Sequence, residues 1–210
     1  MSTARVLSVN VGTPQAVSTF KRTVTTAIWK SPVEGRVRAH GVNLDGDDQA
    51  DRRVHGGPDK AVYAYASEDT AWWEERLGRT LGAGAFGENL TLEGVDCTNA
   101  RVGERWRIGT ALFEVVQPRL PCFKLGIRLE DPTMLKQFAQ ASRPGAYLRI
   151  VTEGEVGAGD AVEIVERPDH DGTMKLLSDA LLLDEGLRAK AARTPGLIPQ
   201  LQAWLAEQPV

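Results

Sequence analysis

Short β-type stretches separated by glycine-rich turns fill most of the chain up to about residue 166. VLSVNV (6 to 11) and AVYAYA (61 to 66) cluster or alternate β-branched and aromatic residues, as buried and half-buried strands do. Later runs of the same kind are ENLTLEG, ERWRIG, ALFEVVQ, AYLRIVT and AVEIVER. Seven or more short strands with few helices predict a mainly β protein, built as a closed or nearly closed β-barrel that leaves no long strand edge exposed.

One hairpin is predicted in detail. In RWRIGTALFEV, Gly109 and Thr110 form a two-residue loop between two strand-like runs. Glycine at the first loop position suits a type II′ turn.

Two helices are predicted within this β-rich region. Ser67 is placed to cap SEDTAWWEERL, and Gly78 follows its last residue. Asp131 and Pro132 open a second helix over PTMLKQFAQAS, since proline is tolerated at a first helical position.

The composition changes after Pro168, where the linker ERPDHDG ends the β-rich region. Thr173 is placed to begin a helical run over KLLSDALLLDEGLRAKAAR, and Pro199 to begin a last helix. We therefore predict a barrel domain over residues 1–168 and a small two- or three-helix extension over 169–210.

Charge and hydropathy exclude several functions. The formal net charge is -3 and the pI is about 5.7, which gives no general attraction to nucleic acids or anionic membranes. No stretch approaches the roughly 18 apolar residues of a membrane helix, and the N-terminus lacks a signal-peptide layout. The expectation is a cytoplasmic protein without a nucleic-acid or membrane partner, whose Cys97 and Cys122 are both free thiols.

Cys122 lies in the motif QPRLPCFKLG (117 to 126). Pro118 and Pro121 stiffen its backbone and oppose regular strand pairing. Arg119 and Lys124 supply positive charge, which favours the thiolate that attacks electrophiles and binds metals. Cys122 is therefore the first candidate for a functional residue.

Other interpretations of Cys122 stay open at this point. It can be a buried inert thiol, or a nucleophile paired with His40 or His55. The cysteines and histidines lack the spacing of a zinc site, but a single thiolate can complete the coordination of a metal that arrives already bound to other ligands. Cys97 has no flanking cation and is not expected to have a chemical role.

Two further segments combine residues that bind ligands. RRVHGGPDK (52 to 60) surrounds two glycines with cations, which predicts either a phosphate cradle or a basic surface turn. FGENL (86 to 90) places a carboxylate and an amide before a strand, either to contact a heterocycle edge or only to form the turn.

Other motifs are given ordinary structural interpretations. DGDDQAD (45 to 51) fails the EF-hand pattern and is interpreted as a solvated acidic turn. The tryptophans interpreted as core or hairpin residues are Trp72, Trp73 and Trp106. No phosphate-binding P-loop, HExxH or dinucleotide-binding glycine motif is present.

Together the motifs resemble a known family. QADRRVHGGPDKAVYAY, GAFGENLTLEGV, QPRLPCFKL, GAYLRIV and VGAGDAVEIVERP look like the MOSC domain, named for the C-terminal domain of molybdenum cofactor sulfurase. The resemblance runs from about residue 5 to 168. Within the family, the chain more specifically resembles the stand-alone bacterial YiiM-like group, and its tail resembles the three-helix extension of that group.

The resemblance implies a β-barrel that binds the molybdenum cofactor, a pterin whose dithiolene holds molybdenum, with Cys122 as the protein ligand to the metal. Catalytic roles are implied for Cys122 and, as proton relays, for His55 or Glu88. The residues implied in cofactor binding are Arg52, Arg53, His55, Gly56, Gly57, Lys60, Glu88, Asn89, Arg119, Lys124, Arg143 and Tyr147.

The activity that the resemblance implies is reduction of N-hydroxylated compounds, such as 6-hydroxylaminopurine, to the amine. The chain has no flavin or nicotinamide motif, so the electrons must come from another protein or a small reductant. The alternatives are a molybdenum cofactor carrier or sulfur-transfer module without reductase activity, a cofactor-free cysteine enzyme, and a barrel that binds another small ligand.

Overall fold

The computed structural model describes residues 4–18, 23–50 and 56–206, and the chain folds there into curved sheets flanked by short helices. The strands are β1 (Arg5–Val11), β2 (Gln15–Ser18), β3 (Thr23–Thr26), β4 (Ser31–Pro32), β5 (Arg36–His40), β6 (Asn43–Leu44), β7 (Val62–Ala66), β8 (Leu90–Glu93), β9 (Arg105–Ile108), β10 (Ala111–Gln117), β11 (Ala146–Thr152), β12 (Gly154–Gly157) and β13 (Val162–Glu166). The helices are α1 (Ser67–Leu77), α2 (Phe123–Arg128), α3 (Met134–Ala141), α4 (Met174–Leu182), α5 (Arg188–Ala191) and α6 (Pro199–Ala206). Two short 3₁₀ turns cover Pro58–Lys60 and Glu185–Leu187.

The main sheet of the described residues curls into a half-barrel. Its eight strands lie in the order β13-β9-β10-β11-β7-β8-β1-β4, and β7 and β8 form a parallel pair. Near the start of β1, the N–H of Val6 donates to the carbonyl of Asp160 at 2.9 Å, and that of Gly159 to the carbonyl of Val6 at 2.8 Å. These bonds join the two sides of the sheet at one end, so the predicted mainly β, barrel-like fold is confirmed.

β7 is buried on both faces, which explains its unbroken apolar sequence VYAYA. Val62, Ala64 and Ala66 point into the main core inside the half-barrel. Tyr63 and Tyr65 point outward into a second, aromatic core beneath α1, α2 and α3. Because side chains alternate between the faces of a strand, one strand links the two cores.

Trp73, Phe86 and Phe138 complete the aromatic core around Tyr65. The Tyr65 and Phe86 ring centroids lie 4.7 Å apart, and the Trp73 and Phe138 rings stack at 6.2 Å. Trp73 Nε1 donates to the Tyr65 hydroxyl at 3.0 Å. The prediction that Trp73 and Trp106 are core residues is confirmed, whereas Trp72 lies at the edge of this core.

Several helix boundaries differ from the predictions. Ser67 is the first residue of α1 and makes no capping bond, although Gly78 ends the helix in the left-handed region as predicted. α3 begins at Met134, because Asp131 accepts from the N–H of Thr133 and so forms a turn before the helix. The helix α2, which directly follows Cys122, was not predicted because its six residues are too few to show a periodic pattern.

The C-terminal helices pack on the half-barrel. Thr173 caps α4 as predicted, by accepting from the N–H of Leu176. Met174, Leu177 and Leu201 belong to the same apolar core as the barrel strands. The predicted domain boundary at residue 168 stays a prediction. One apolar core contains residues from both sides of it. No helix among the described residues has the length and apolar character needed to span a membrane.

The predicted β9–β10 hairpin is confirmed, with Ile108 opposite Ala111 and Gly109 at φ +59°.

A Cβ at Gly109 would lie 2.2 Å from the carbonyl oxygen of Glu155. We expect Gly109→Ala to lower the free energy of unfolding by more than about 2 kcal/mol, because the strain of the left-handed backbone and the steric clash with Glu155 both destabilise the folded state. Urea unfolding of the native protein and the variant measures this loss of free energy. Gly159→Ala, at φ +89° with nothing within 4 Å of its Cβ, is the matched control and should cost about 1 kcal/mol. Equal losses would show that the clash is absent.

Candidate functional site

An open cavity lies beside Cys122, at the end of the half-barrel where β7 and β11 meet the loops after β3 and β6. Its volume is about 580 Å³, counted to its open mouth. Its lining includes Cys122, Arg119 and Lys124 from one segment of the chain, and Asp47 and Gln49 from another segment. The cavity therefore brings together residues from distant parts of the sequence around a half-buried thiol.

Cys122 is held at this cavity by the segment that leads from β10 into α2. It is the residue immediately before α2, and Leu125 of that helix anchors the segment in the aromatic core. Lys124 is half-buried and also lines the cavity. The structure thus brings Cys122, Arg119 and Lys124 together, as the motif predicted.

Arg119 is a buried cation beside the thiol. It donates to the backbone carbonyl of Phe86, and its guanidinium lies 5.1 Å from the Tyr63 ring centroid and 5.6 Å from that of Phe138. In the part of the chain that the structure describes, no carboxylate forms an ion pair with it. A buried guanidinium without a carboxylate favours a negatively charged partner, and the cavity beside it is open to one.

Lys30 and Asp47 form a buried ion pair at the cavity wall that the sequence analysis did not identify. Their side chains are 8% and 1% exposed. Asp47 also accepts from the N–H of Gly12 at 2.8 Å and from the amide nitrogen of Asn89 at 2.9 Å. Burial lowers the pKa of Lys30, and Asp47 offsets part of this effect. The interpretation of residues 45–51 as a solvated acidic turn is therefore wrong for Asp47.

Glu88 forms its own turn, which is one of the two interpretations of the FGENL motif. Its carboxylate is buried and accepts from the N–H groups of Gly84 at 2.6 Å and Phe86 at 3.0 Å, and from the hydroxyl of Thr91 at 3.0 Å. Burial raises the pKa of Glu88, and these hydrogen bonds oppose the rise. Glu88 stabilises the turn before β8 and does not line the cavity.

Asn89 lines the cavity, but its amide is engaged within the protein. Its nitrogen donates to Asn10 and Asp47, and its oxygen accepts from the N–H of Tyr63 at 3.1 Å. The predicted contact of this amide with a pterin edge would require some of these bonds to break. Asn89 instead connects β1, β7 and the Asp47 loop.

Of the two residues predicted at the mouth, only Tyr147 is at this cavity. Tyr147 pairs with Tyr63 across β11 and β7, their ring centroids lie 5.0 Å apart, and burial raises the pKa of its phenol. Arg143 lines a separate cavity, where it pairs with Asp69 and lies 4.8 Å from the Trp72 ring centroid. The structure therefore does not bring Arg143 to Cys122.

The basic loop is described only in part. The predicted residues Arg52, Arg53 and His55 lie outside the described residues, so their roles stay predictions. Lys60 lines the cavity of Cys122, and Gly57 precedes the 3₁₀ turn at φ +94°. Gly56 borders a smaller cavity against the start of α6. His40 pairs with the exposed Asp45 and does not line the Cys122 cavity.

Sequence reasoning also missed Gln49 and Tyr63 as cavity residues. Tyr63 had a usable signal, because a tyrosine inside a fully buried strand needs a partner for its hydroxyl, and it donates to the carbonyl of Pro144 at 2.9 Å. Gln49 and Lys30 had none, since their place at the cavity depends on contacts between remote segments. Cys97 is fully buried, and burial raises its pKa well above the usual value, which agrees with the inert role expected for it.

Comparison with known proteins gives the chain a family. The MOSC domain model matches residues 51–163. The uncharacterized protein YflK of Bacillus subtilis is 40% identical over 162 residues, which span 77% of this chain and 73% of that protein. Protein YiiM of Escherichia coli is 34% identical over 145 residues, or 68% of this chain and 65% of that protein. A protein named reductase from Gibberella moniliformis is 32% identical over 149 residues, which are 69% of this chain but 26% of the fungal protein.

A solved structure supports the same assignment. The crystal structure of YiiM from Geobacillus stearothermophilus matches 97% of this chain and 100% of that chain, with a TM-score of 0.77 and 32% identity. The fold, the family match and the relatives agree with one another. The chain belongs to the MOSC domain family.

Proposed function

We propose that this protein binds a molybdenum cofactor through Cys122 and reduces N-hydroxylated compounds, such as 6-hydroxylaminopurine, to the amine. The observation that carries the proposal is the Cys122 thiol at the wall of an open cavity, next to a buried Arg119 that has no carboxylate partner in the described part of the chain. The relative named reductase and the YiiM relatives support the oxidoreductase class.

The residues of the cavity fit such a group. Among the described residues, no cluster of three or more His, Cys, Asp or Glu side chains is placed to hold a metal ion. A metal bound at Cys122 therefore needs most of its ligands from elsewhere, as a metal already chelated by two sulfurs of a pterin has. Arg119, Lys124 and Lys60 would face the anionic parts of the cofactor, and Arg52, Arg53 and His55 remain predicted contacts to its phosphate.

When bound, the cofactor would supply the two-electron reduction that cleaves the N–O bond. The overall conversion takes up two electrons and two protons and releases the amine and water. Tyr147 keeps its phenol proton at neutral pH, because burial raises its pKa, and its side chain lines the cavity. Glu88 does not reach this space, and His55 stays a predicted proton relay. The electrons would come from a donor protein or a small reductant.

The test is reduction of 6-hydroxylaminopurine by protein prepared from a host that makes the cofactor, with a reduced dye as electron donor. We expect substrate loss and adenine formation that depend on both the dye and the molybdenum content. Absence of turnover by molybdenum-containing protein would contradict the reductase and favour a cofactor carrier or sulfur-transfer module. Turnover by protein from a host that cannot make the pterin would contradict the role of the cofactor.

A further inference from the structure

Gln49 presents a buried hydrogen-bond acceptor that no described residue satisfies. Its side-chain nitrogen donates to the amide oxygen of Asn43 and to the carbonyl of Lys60, both at 3.2 Å. Its side-chain oxygen Oε1 is buried and has no hydrogen-bond partner within residues 4–18, 23–50 and 56–206. Because both partners of the nitrogen are acceptors, the amide cannot be turned over without losing two hydrogen bonds.

Gln49 borders the same cavity as Cys122. Buried polar groups in folded proteins are nearly always hydrogen-bonded, so an unsatisfied acceptor on a residue that lines a cavity points to a donor on a ligand. Gln49 Oε1 and Arg128 Nε are the buried side-chain atoms without a partner in the described residues, and Arg128 does not line this cavity.

The chemistry around Gln49 defines the donor. An amide oxygen only accepts hydrogen bonds, so its partner must carry an N–H or O–H group. The carboxylate of the neighbouring Asp47 is already paired with Lys30. The cations Arg119 and Lys124 line the same cavity as Cys122 and Gln49. A ligand that matches this lining carries negative charge for the cations and an N–H group for Gln49.

We propose that Gln49 binds an N–H group of an aminated heterocycle held in the Cys122 cavity. The inference deepens the proposed function and rests on it, since the pterin of the cofactor and an N-hydroxylated purine both carry ring or exocyclic N–H donors. Pterin retention and the KM for the substrate distinguish these two sources of the N–H group.

The test compares the native protein with Gln49→Met, which has a side chain of similar size without the amide. Asn43→Ala is the control, because it removes one anchor of the Gln49 nitrogen and leaves Oε1 in place. Loss of one neutral hydrogen bond predicts about a three- to tenfold effect on binding of the heterocycle. Asn43→Ala should stay within about twofold of the native protein, and thermal unfolding checks that each variant folds.

Two measurements identify the source of the N–H group. The pterin that each chain retains after extended dialysis is released by denaturation, oxidised and measured by fluorescence. This amount falls in Gln49→Met if Gln49 binds the cofactor. The KM for 6-hydroxylaminopurine rises, with pterin content unchanged, if Gln49 binds the substrate. If neither quantity changes, or if Asn43→Ala changes them equally, the role of Gln49 is overturned.

Failure of the proposed function gives a different result. If native protein from a competent host carries neither pterin nor molybdenum, the cofactor-free protein is titrated with 2-aminopurine and with free pterin, followed by fluorescence. Binding that Gln49→Met weakens by about three- to tenfold supports the heterocycle site without the cofactor. No binding, or equal binding to both proteins, overturns it.

Discussion

Protein with Cys122→Ser, produced in a host that makes the cofactor, should contain at least about tenfold less molybdenum per chain than the native protein. Even the loss of an outer-shell partner costs about 10- to 100-fold in metal affinity, and a hydroxyl is a much poorer ligand than a thiolate for such a metal. Serine is close in size to cysteine, so the cavity wall is otherwise unchanged. Elemental analysis of freshly purified protein measures the effect.

The control for this substitution is the other cysteine. Cys97 lies in the main core and does not line the cavity, so Cys97→Ala should keep the native molybdenum content. Molybdenum that persists undiminished in Cys122→Ser would show that the thiol is not a ligand. Equal losses from both variants would point to a general effect of cysteine removal.

Replacing Asp47 with alanine should lower the free energy of unfolding by about 3–5 kcal/mol, one of the largest effects expected for a single side chain in this protein. The substitution leaves the Lys30 ammonium buried without its partner and removes the acceptor of the Gly12 N–H. It also removes one partner of the Asn89 amide, which connects the cavity wall to β1 and β7. Urea unfolding, followed by far-UV circular dichroism, measures the loss.

Asp45→Ala is the matched control in the same loop. The Asp45 side chain is 57% exposed and pairs with His40, and such surface pairs contribute at most about 1 kcal/mol. A loss below about 1 kcal/mol for Asp47→Ala would mean that the buried pair contributes little. In that case, joint replacement of Lys30 and Asp47 by apolar residues should also be nearly neutral.

The strands that form the half-barrel were predictable because their signal is local. β9, β10 and the loop between them follow from a short stretch with alternating apolar residues and one glycine. The capping of α4 by Thr173 depends on a residue three positions away. The helix α2 was not predicted, because the prolines before Cys122 indicated an irregular segment. Its anchor Leu125 also packs against residues far along the chain, which no local pattern shows.

The candidate site was predictable only where its chemistry lies in one motif. Arg119, Cys122 and Lys124 fall within six consecutive residues, so their charge and their sulfur were visible together. Glu88 kept two interpretations, because a carboxylate before a strand has the same sequence signature whether it contacts a ligand or closes its own turn. Only the bonds from the Gly84 and Phe86 N–H groups distinguish these roles.

The sequence by itself determined the β-rich architecture, the family and the motif that carries the thiol, because each depends on the order of neighbouring residues. The tertiary structure alone decided that Asp47 is buried against Lys30, that Gln49 lines the cavity and has an oxygen unsatisfied by the described residues, and that Arg143 lies elsewhere. Burial and hydrogen bonding between remote segments arise only when the sheet closes, and no local pattern records which side chains then meet.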